Sequence, residues 1–206
     1  MTNNVNNDLL DEFLKNMTFV ENLSRKLGIA SIEYDDGLVL SSLSYVTALS
    51  GGKIFIDAGA GVGYSTLWIL YGVLKAFSRE KIFIYAIEKD PYRYKYLREN
   101  LEKLKNRFLR DNFIEINNVN EDAVKFLREK DLVIDMIFVD IEKRRYIDVL
   151  EMLPEKLSDI GMGVFHNALF PGLDERVIEF LKRENRLSHH LIPTRLGILI
   201  VKKIMI

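Results

Sequence analysis

Residues 53–65 read Lys-Ile-Phe-Ile-Asp-Ala-Gly-Ala-Gly-Val-Gly-Tyr-Ser, and this stretch decides the fold. Its first half is a short apolar run, which is typical of a buried parallel strand, and Asp57 ends that run. Three glycines at alternate positions then predict a tight turn, and the apolar stretch from Tyr64 onward predicts a helix. The stretch therefore indicates a strand, a glycine loop and a helix, in that order.

Such a loop is predicted to be a ligand cradle, because glycine leaves the backbone bare and the following helix presents free N–H groups. Glycines at this spacing also occur in plain turns, which is the alternative interpretation of the stretch. In open α/β sheets, ligands bind at the carboxyl ends of the strands, where this loop would lie. The dinucleotide fingerprint requires a glycine at position 64, and this chain has tyrosine there. The motif therefore fits a ligand with an amino-acid end better than it fits NAD.

The composition excludes several classes of protein and site. The chain has 206 residues, of which 48% are hydrophobic and 29% charged, as in an ordinary soluble domain. A net charge of −1 gives no general attraction to nucleic acid or to anionic membranes. The chain has no cysteine, which excludes disulfides, thiol nucleophiles and thiolate metal sites. The N-terminus is polar, and no apolar run approaches the roughly 20 residues of a membrane span, so we expect a cytoplasmic protein.

Hydrophobic periodicity predicts alternating strands and helices after two N-terminal helices. Residues 1–7 are predicted to be a disordered tail. Strands that alternate with helices indicate a parallel sheet with helices on both faces. The last two strands have no room for a helix between them, so they are expected to form a hairpin that adds an antiparallel strand. The predicted helices cover 8–27, 38–49, 64–77, 91–108, 120–127, 145–157 and 173–183, and the predicted strands cover 54–57, 81–87, 112–116, 132–139, 161–165, 188–192 and 197–202.

Polar side chains stand where the apolar strands stop, and these ends converge on one edge of a parallel sheet. They are Asp57, Glu88, Asp140 and the pair His166-Asn167. Glu88 follows the second strand, where a carboxylate can accept both hydroxyls of a ribose. Each acid also has a structural interpretation, such as bracing the glycine loop or starting a helix.

Five segments carry a resemblance to a known family: Asp57-Ala-Gly-Ala-Gly-Val-Gly-Tyr-Ser65, Ile87-Glu88-Lys-Asp-Pro91, Asp122-Ala123, Phe138-Val-Asp140-Ile-Glu-Lys143 with Tyr146, and Asn167 with Gly172. They resemble the class I S-adenosylmethionine-dependent methyltransferases, and among them the small cation-dependent O-methyltransferases of the caffeoyl-CoA and catechol group. The likeness extends over roughly residues 37–202. The glycine motif marks only the superfamily, and the stretch Phe-Val-Asp-x-x-Lys-x-x-Tyr at 138–146 is more specific.

The resemblance implies one methyltransferase domain over 1–206, with N-terminal helices at 1–50 and a Rossmann-like core at 51–206. It implies a seven-stranded, mostly parallel sheet in the order 3-2-1-4-5-7-6, with the last strand antiparallel and helices on both faces. The methionine end of the cofactor would lie on the glycine loop, the ribose at Glu88 and the adenine near Asp122. The cofactor-binding residues would be Asp57, Gly59, Ala60, Gly61, Gly63, Ser65, Glu88, Lys89, Asp122, Ala123 and Asp140.

The family's chemistry implies a role for Asp140 and Lys143 as catalytic residues. The methyl group of a sulfonium is already activated, so the acceptor hydroxyl must be deprotonated and aligned. Asp140 would bind a divalent cation that chelates neighbouring hydroxyls and lowers their pKa. Lys143, partly desolvated beside it, would have a lowered pKa and take the proton. The alternative interpretation of Lys143 is a surface lysine in a Lys-Arg-Arg run.

The predicted metal site departs from the family pattern, which has an Asp-Asn pair where this chain has His166-Asn167. Imidazole is a poor ligand for Mg²⁺ but a good one for softer transition metals. Three interpretations follow: a softer metal bound by Asp140, His166 and Asn167; Mg²⁺ bound weakly by Asp140 and Asn167; or a lost metal with His166 as the base. The segment after Asn167 is also short, and Arg195 stands where the family has small or acidic residues.

The leading functional prediction is an S-adenosylmethionine-dependent O-methyltransferase for a small hydroxylated, catechol-like acceptor, assisted by a metal. The alternatives are a methyltransferase for RNA or protein, a non-catalytic S-adenosylmethionine-binding protein and an NAD-dependent oxidoreductase. Near-neutral charge disfavours RNA. The expected partners are a small-molecule acceptor and a second copy of the chain in a homodimer, with no nucleic acid and no membrane.

Overall fold

The computed structural model describes residues 3–76, 80–109 and 113–204, in which helices and strands alternate after two N-terminal helices. The strands are β1 Ile54–Ala58, β2 Ile82–Ile87, β3 Ile114–Val119, β4 Ile134–Val139, β5 Leu157–Phe165, β6 Leu187–Ile192 and β7 Ile198–Lys203. The helices are α1 Asn3–Lys26, α2 Tyr34–Leu49, α3 Tyr64–Lys75, α4 Pro91–Phe108, α5 Ala123–Glu129, α6 Tyr146–Leu150, α7 Leu153–Lys156 and α8 Glu175–Arg183.

The seven strands form one sheet in the order β3-β2-β1-β4-β5-β7-β6. Neighbouring strands from β3 to β5 are parallel, whereas β7 runs antiparallel to both β5 and β6. The predicted order and the predicted terminal hairpin are confirmed. Parallel pairing brings the carboxyl ends of β1, β2 and β4 to one edge, where the candidate site lies.

Two hydrophobic cores cover the two faces of the sheet. On one face, α1, α2, α3 and α4 pack against side chains such as Phe55 and Phe138, which are wholly buried. On the other face, α5, α6 and α8 pack against side chains such as Ile56 and Ile137. Side chains of a strand point alternately to the two faces, so the inner strands are mostly apolar, with Asp57 in β1 and Asp135 in β4 as buried acids.

The N-terminal helices begin earlier than predicted. Helix α1 starts at Asn3, so the predicted disordered tail is wrong for residues 3–7, and residues 1–2 lie outside the described residues. Helix α2 starts at Tyr34, four residues before its first predicted apolar position. The sequence before Leu38 includes two acids and a glycine, which lack an apolar period but suit the first turn of a helix.

A single predicted helix at 145–157 is broken in the structure. A 3₁₀ turn covers Lys143–Arg145, and α6 and α7 follow as separate short helices. The break precedes Pro154, which has no N–H to donate to a carbonyl four residues earlier. Strand β5 starts at Leu157, the last residue of the predicted helix. Strand β3 ends at Val119, three residues beyond its predicted end at 116. Two predicted bounds, the start of β3 at Asn112 and the end of α3 at Phe77, lie outside the described residues.

Among the described residues, no helix combines the length and hydrophobicity that a membrane span requires.

Candidate cofactor and active site

The glycine loop between β1 and α3 is pressed against the ends of two neighbouring strands. Gly59 has a φ of 96°, and a Cβ built there would lie 2.3 Å from the carbonyl oxygen of Asp140. The backbone N–H groups of Gly59 and Ala60 donate to the carbonyl of Ile87 at 3.0 and 2.9 Å. The loop can therefore approach β2 and β4 only because position 59 has no side chain.

Asp57 is a wholly buried carboxylate beneath this loop. Its Oδ2 accepts hydrogen bonds from Ser65 Oγ at 2.7 Å and Thr66 Oγ1 at 2.5 Å, whereas its Oδ1 has no partner among the described residues. Burial raises the pKa of Asp57 to about 7, although the two hydroxyls oppose the shift. An orphaned carboxylate oxygen at this place fits the ammonium group of a methionine-like ligand.

Glu88 ends β2 and links the loop to the second strand. Its Oε2 accepts from Gly61 N at 2.9 Å and its Oε1 accepts from Asp90 N at 2.8 Å. Asn120 Nδ2 donates to the Glu88 carbonyl at 2.8 Å, which ties the ends of β2 and β3 together. Each carboxylate oxygen has a second lone pair, so Glu88 retains the capacity to accept from the hydroxyls of a ribose.

A cavity of about 430 Å³ lies in front of Glu88 and the glycine loop, while Asp57 lies beneath the loop and does not line it; this volume is within the range of small-molecule sites. It is closed on one side by Ile29 and Ala30, from the segment 27–33 that joins α1 to α2. The other lining residues are Gly59, Gly61, Ile87, Glu88, Lys89, Asp90, Arg93, Glu121, Asp122, Ala123, Asp140, Ile141 and Glu142. A larger groove of about 540 Å³ lies between α6 and α8 but contains none of the predicted site residues.

Two acidic residues on the cavity wall already have protein partners. Asp122 caps α5 by accepting from Lys125 N at 3.0 Å, and its other oxygen pairs with Arg145 at 2.5 Å. Asp122 therefore starts a helix, as its structural interpretation predicts, and its contact with adenine stays a prediction. Glu142 pairs with Lys89, so an ion pair connects the ends of β4 and β2 across the rim.

Lys143 is held close to the carboxyl end of β4. Its Nζ lies 3.3 Å from Asp140 Oδ1 and 3.3 Å from the carbonyl oxygen of His166, and it contacts the hydroxyl of Tyr146. Tyr146 is buried, and its hydroxyl bonds to the carbonyls of Val139 at 2.9 Å and His166 at 3.0 Å. Burial lowers the pKa of Lys143, an effect that Asp140 partly offsets.

His166 lies between two carboxylates. Its Nε2 donates to Asp36 Oδ2 at 2.9 Å, and its Nδ1 is 3.3 Å from Asp140 Oδ2 without the alignment of a good hydrogen bond. Burial alone would lower the pKa of His166, but the two neighbouring carboxylates, Asp140 and Asp36, outweigh it and raise that pKa to about 9. Burial would raise the pKa of Asp140, yet His166 and Lys143 hold it below its usual value.

The predicted metal ligands do not form a magnesium site. Mg²⁺ requires a near-octahedral shell of oxygens, but both oxygens of Asp140 face nitrogen atoms, from Lys143 and His166. Asn167 follows His166 in a left-handed conformation with a φ of 57°. Within the described ranges, no cluster of three or more His, Cys, Asp or Glu residues has the geometry to hold a metal ion.

The structure thus brings most of the predicted site residues to one edge of the sheet. Ser65 braces Asp57, and Gly63 caps α3 with a φ of 105°. Sequence analysis missed Thr66 and Asp36. Thr66 adjoins the motif and was detectable as a second hydroxyl one residue after Ser65. Asp36 lies 130 residues from His166 and carries no local signal.

No protein-family model matches the chain. The tRNA(Phe) (4-demethylwyosine(37)-C(7)) aminocarboxypropyltransferase of Methanocaldococcus jannaschii is 30% identical over 138 residues, which are 64% of this chain and 53% of that protein. The chain therefore spans about half the length of this curated relative.

Solved structures match over almost the whole chain. A methyltransferase from Geobacter sulfurreducens has a TM-score of 0.74 at 20% identity, over 93% of this chain and 89% of that one. The O-methyltransferase from Bacillus cereus in complex with SAH has a TM-score of 0.70 at 19% identity, over 92% and 91%. TomG, an O-methyltransferase from Streptomyces achromogenes in complex with SAM, has a TM-score of 0.73 at 15% identity, over 91% and 89%. The chain has the fold of the class I S-adenosylmethionine-dependent methyltransferases.

Proposed function

We propose that the protein is an S-adenosylmethionine-dependent methyltransferase that methylates a hydroxyl group of a small acceptor. One observation carries the proposal: a largely buried amine, Lys143 Nζ, lies 3.3 Å from Asp140, and Asp140 lines the cavity beside the glycine loop. The amine has a lowered pKa because of its burial. A general base with such a pKa next to a cofactor cavity suits proton removal from an acceptor.

The chain's own residues would bind and orient the cofactor at its two polar ends. Asp57 Oδ1, which has no partner among the residues that the structure describes, would receive the ammonium group, and Glu88 would accept from the ribose hydroxyls. When bound, S-adenosylmethionine supplies a methyl group that is already activated for attack. Holding that group in line with the acceptor oxygen lowers the barrier by several kcal/mol.

Lys143 would take the proton that the acceptor hydroxyl loses as its oxygen is methylated. A neutral amine is required for this, and burial in the site increases the neutral fraction at a given pH. His166 is less suited to act as the base, because its two carboxylate neighbours favour its protonated form. A small-molecule acceptor, a homodimer and a cytoplasmic location stay predictions.

A second candidate function follows from the curated relative, whose name describes transfer of an aminocarboxypropyl group to tRNA. The sulfonium of S-adenosylmethionine carries such a chain beside its methyl group, so one cofactor site can serve either transfer. The formal net charge of −1 disfavours a nucleic-acid acceptor, which a protein normally binds through a basic surface.

One experiment separates these functions. The protein is incubated with S-adenosylmethionine labelled either in the methyl group or in the aminocarboxypropyl chain, together with catechols, other hydroxylated small molecules or bulk tRNA. We expect methyl label on a small hydroxylated acceptor, and a loss of transfer in Lys143→Met. Label from the aminocarboxypropyl chain on tRNA would favour the second function, and no transfer despite cofactor binding would favour a non-catalytic protein.

A further inference from the structure

A buried chain of polar groups fixes the ring of His166. Asp36 Oδ2 lies 2.9 Å from Nε2, and Thr194 Oγ1 donates to the other oxygen of Asp36 at 2.5 Å. Asp36 is wholly buried and the side chain of His166 is 3% exposed. Helix α2, the end of β5 and the turn before β7 are thereby joined at the active-site edge.

The same ring faces Asp140 with its second nitrogen. Nδ1 lies 3.3 Å from Asp140 Oδ2, while the Lys143 amine lies 3.3 Å from Asp140 Oδ1. Both oxygens of this carboxylate are thus next to nitrogen groups of the protein. A hard cation would have to displace these groups, and it would gain a nitrogen neighbour where it prefers oxygen. A softer metal accepts imidazole, but within the described part of the chain no group of three His, Cys, Asp or Glu side chains could hold it.

We propose that the pair Asp36–His166 takes the place of a divalent cation at this edge of the sheet, so that methyl transfer here needs no metal. Only the statement about methyl transfer rests on the proposed function. His166 is a positioning residue that holds Asp140, and Asp36 is the residue that holds His166. Asp140 in turn keeps the Lys143 amine beside the cavity.

Asp36 is essential to this inference because it accounts for the orientation of the ring. Without the bond to Asp36, either nitrogen of the His166 ring could face Asp140. With Nε2 bonded to a buried carboxylate on α2, only Nδ1 faces Asp140. The N-terminal helices therefore complete the active site as well as covering the sheet.

The first test is calorimetry of Mg²⁺, Mn²⁺, Co²⁺ and Zn²⁺ added to wild-type protein saturated with S-adenosylhomocysteine. We expect no saturable binding of any of the four ions. Stoichiometric binding that Asp140→Ala abolishes would overturn the proposal. The experiment uses no acceptor, so its result does not depend on whether the proposed acceptor class is right.

The second test exchanges the ring for an oxygen ligand. His166→Asp is expected to bind Mg²⁺ or Mn²⁺ at least about tenfold more tightly than wild type, because it provides a second carboxylate next to Asp140. Thermal melting with S-adenosylhomocysteine establishes that the variant is folded. A folded variant with no gain in ion affinity would contradict the claim that His166 excludes the cation.

The third test separates positioning from a general structural role. Asp36→Asn is expected to lower kcat without changing the affinity for S-adenosylhomocysteine, and transfer by wild type is expected to persist in a chelator. Asp35→Asn is the matched control, because Asp35 is exposed on the same helical turn and makes one long contact, 3.5 Å, with the backbone N–H of Arg195. Equal losses in both variants, or a chelator-sensitive wild type, would refute the proposal.

Discussion

Asp57→Asn is expected to stabilise the cofactor-free protein at neutral and higher pH while weakening cofactor binding. Asp57 is wholly buried, one of its oxygens has no partner among the described residues, and its pKa is raised from 3.8 to about 7, chiefly by burial. The folded state therefore binds a proton more tightly than the unfolded chain between about pH 4 and pH 7. In that window the free energy of unfolding falls as the pH rises, because the buried carboxylate becomes charged.

The size of the effect follows from the shift. A rise of about 3 pH units corresponds to roughly 4 kcal/mol of lost stability once the group is fully ionised. Asparagine avoids this loss but leaves an amide N–H group without a partner, which costs about 1–3 kcal/mol. We therefore expect Asp57→Asn to raise the free energy of unfolding by about 1–3 kcal/mol above pH 7, and to lose this advantage below about pH 4.

Urea denaturation across this pH range measures the change, and Asp135→Asn is the matched control. Asp135 is also a buried acid, at the other end of β4, but it accepts from Lys53 N at 2.7 Å, Ile54 N at 2.9 Å and Ser158 Oγ at 2.6 Å. Its substitution should destabilise the protein, because two backbone N–H groups and the Ser158 hydroxyl lose a charged acceptor for a neutral amide. Destabilisation of the same size in Asp57→Asn above pH 7 would refute the reasoning.

The same variant tests the ligand role of Asp57. S-adenosylhomocysteine should bind Asp57→Asn about 10- to 100-fold more weakly, because a hydrogen bond between charged groups is lost. Wild-type affinity should rise between about pH 6 and pH 7.5 as Asp57 ionises, whereas the affinity of the variant should stay level. Calorimetry at the two pH values measures both effects.

Three further substitutions test other parts of the site. Gly59→Ala should lower the free energy of unfolding by about 2–4 kcal/mol, because the new Cβ is strained and overlaps the Asp140 carbonyl. Gly61→Ala is the control and should cost about 1 kcal/mol, because the nearest described atom to its Cβ is 3.7 Å away. Equal losses of stability in urea denaturation would contradict this reasoning. Glu88→Gln should weaken S-adenosylhomocysteine binding by roughly tenfold in calorimetry, and unchanged affinity would exclude Glu88 as a ligand. Lys143→Met should lower kcat by a factor of about 10²–10⁴ with unchanged cofactor affinity. The wild-type rate should rise with pH and level off below the usual pKa of lysine, because burial lowers the pKa of Lys143. A rate independent of pH would argue against a lysine base.

The sheet and its edge were predictable because they depend on local sequence. Each apolar strand run is followed by a turn and a helical period, so the parallel order and the β6–β7 hairpin follow from the pattern and the resemblance together. Asp57, Glu88 and Asp140 were found for the same reason, since each one stands where such a run stops. Helix bounds were less predictable, and the break before Pro154 shows one residue overriding a continuous apolar period.

The environment of His166 could not be predicted from the sequence. Its neighbours Asp36 and Thr194 come from distant parts of the chain and meet only when α2 packs against the sheet. The sequence analysis could therefore list three interpretations of His166 but had no basis for choosing among them. The protonation of a buried side chain depends on such long-range neighbours, which no local pattern encodes.

A crystal structure of the protein with S-adenosylhomocysteine tests the central claim most directly. The account predicts the amino-acid end of the ligand over the glycine loop, with its ammonium group within hydrogen-bond distance of Asp57 Oδ1, and the ribose hydroxyls at Glu88. Its sulfur should point toward Asp140 and Lys143. A ligand bound elsewhere, or one whose ammonium group lies away from Asp57, would contradict the account.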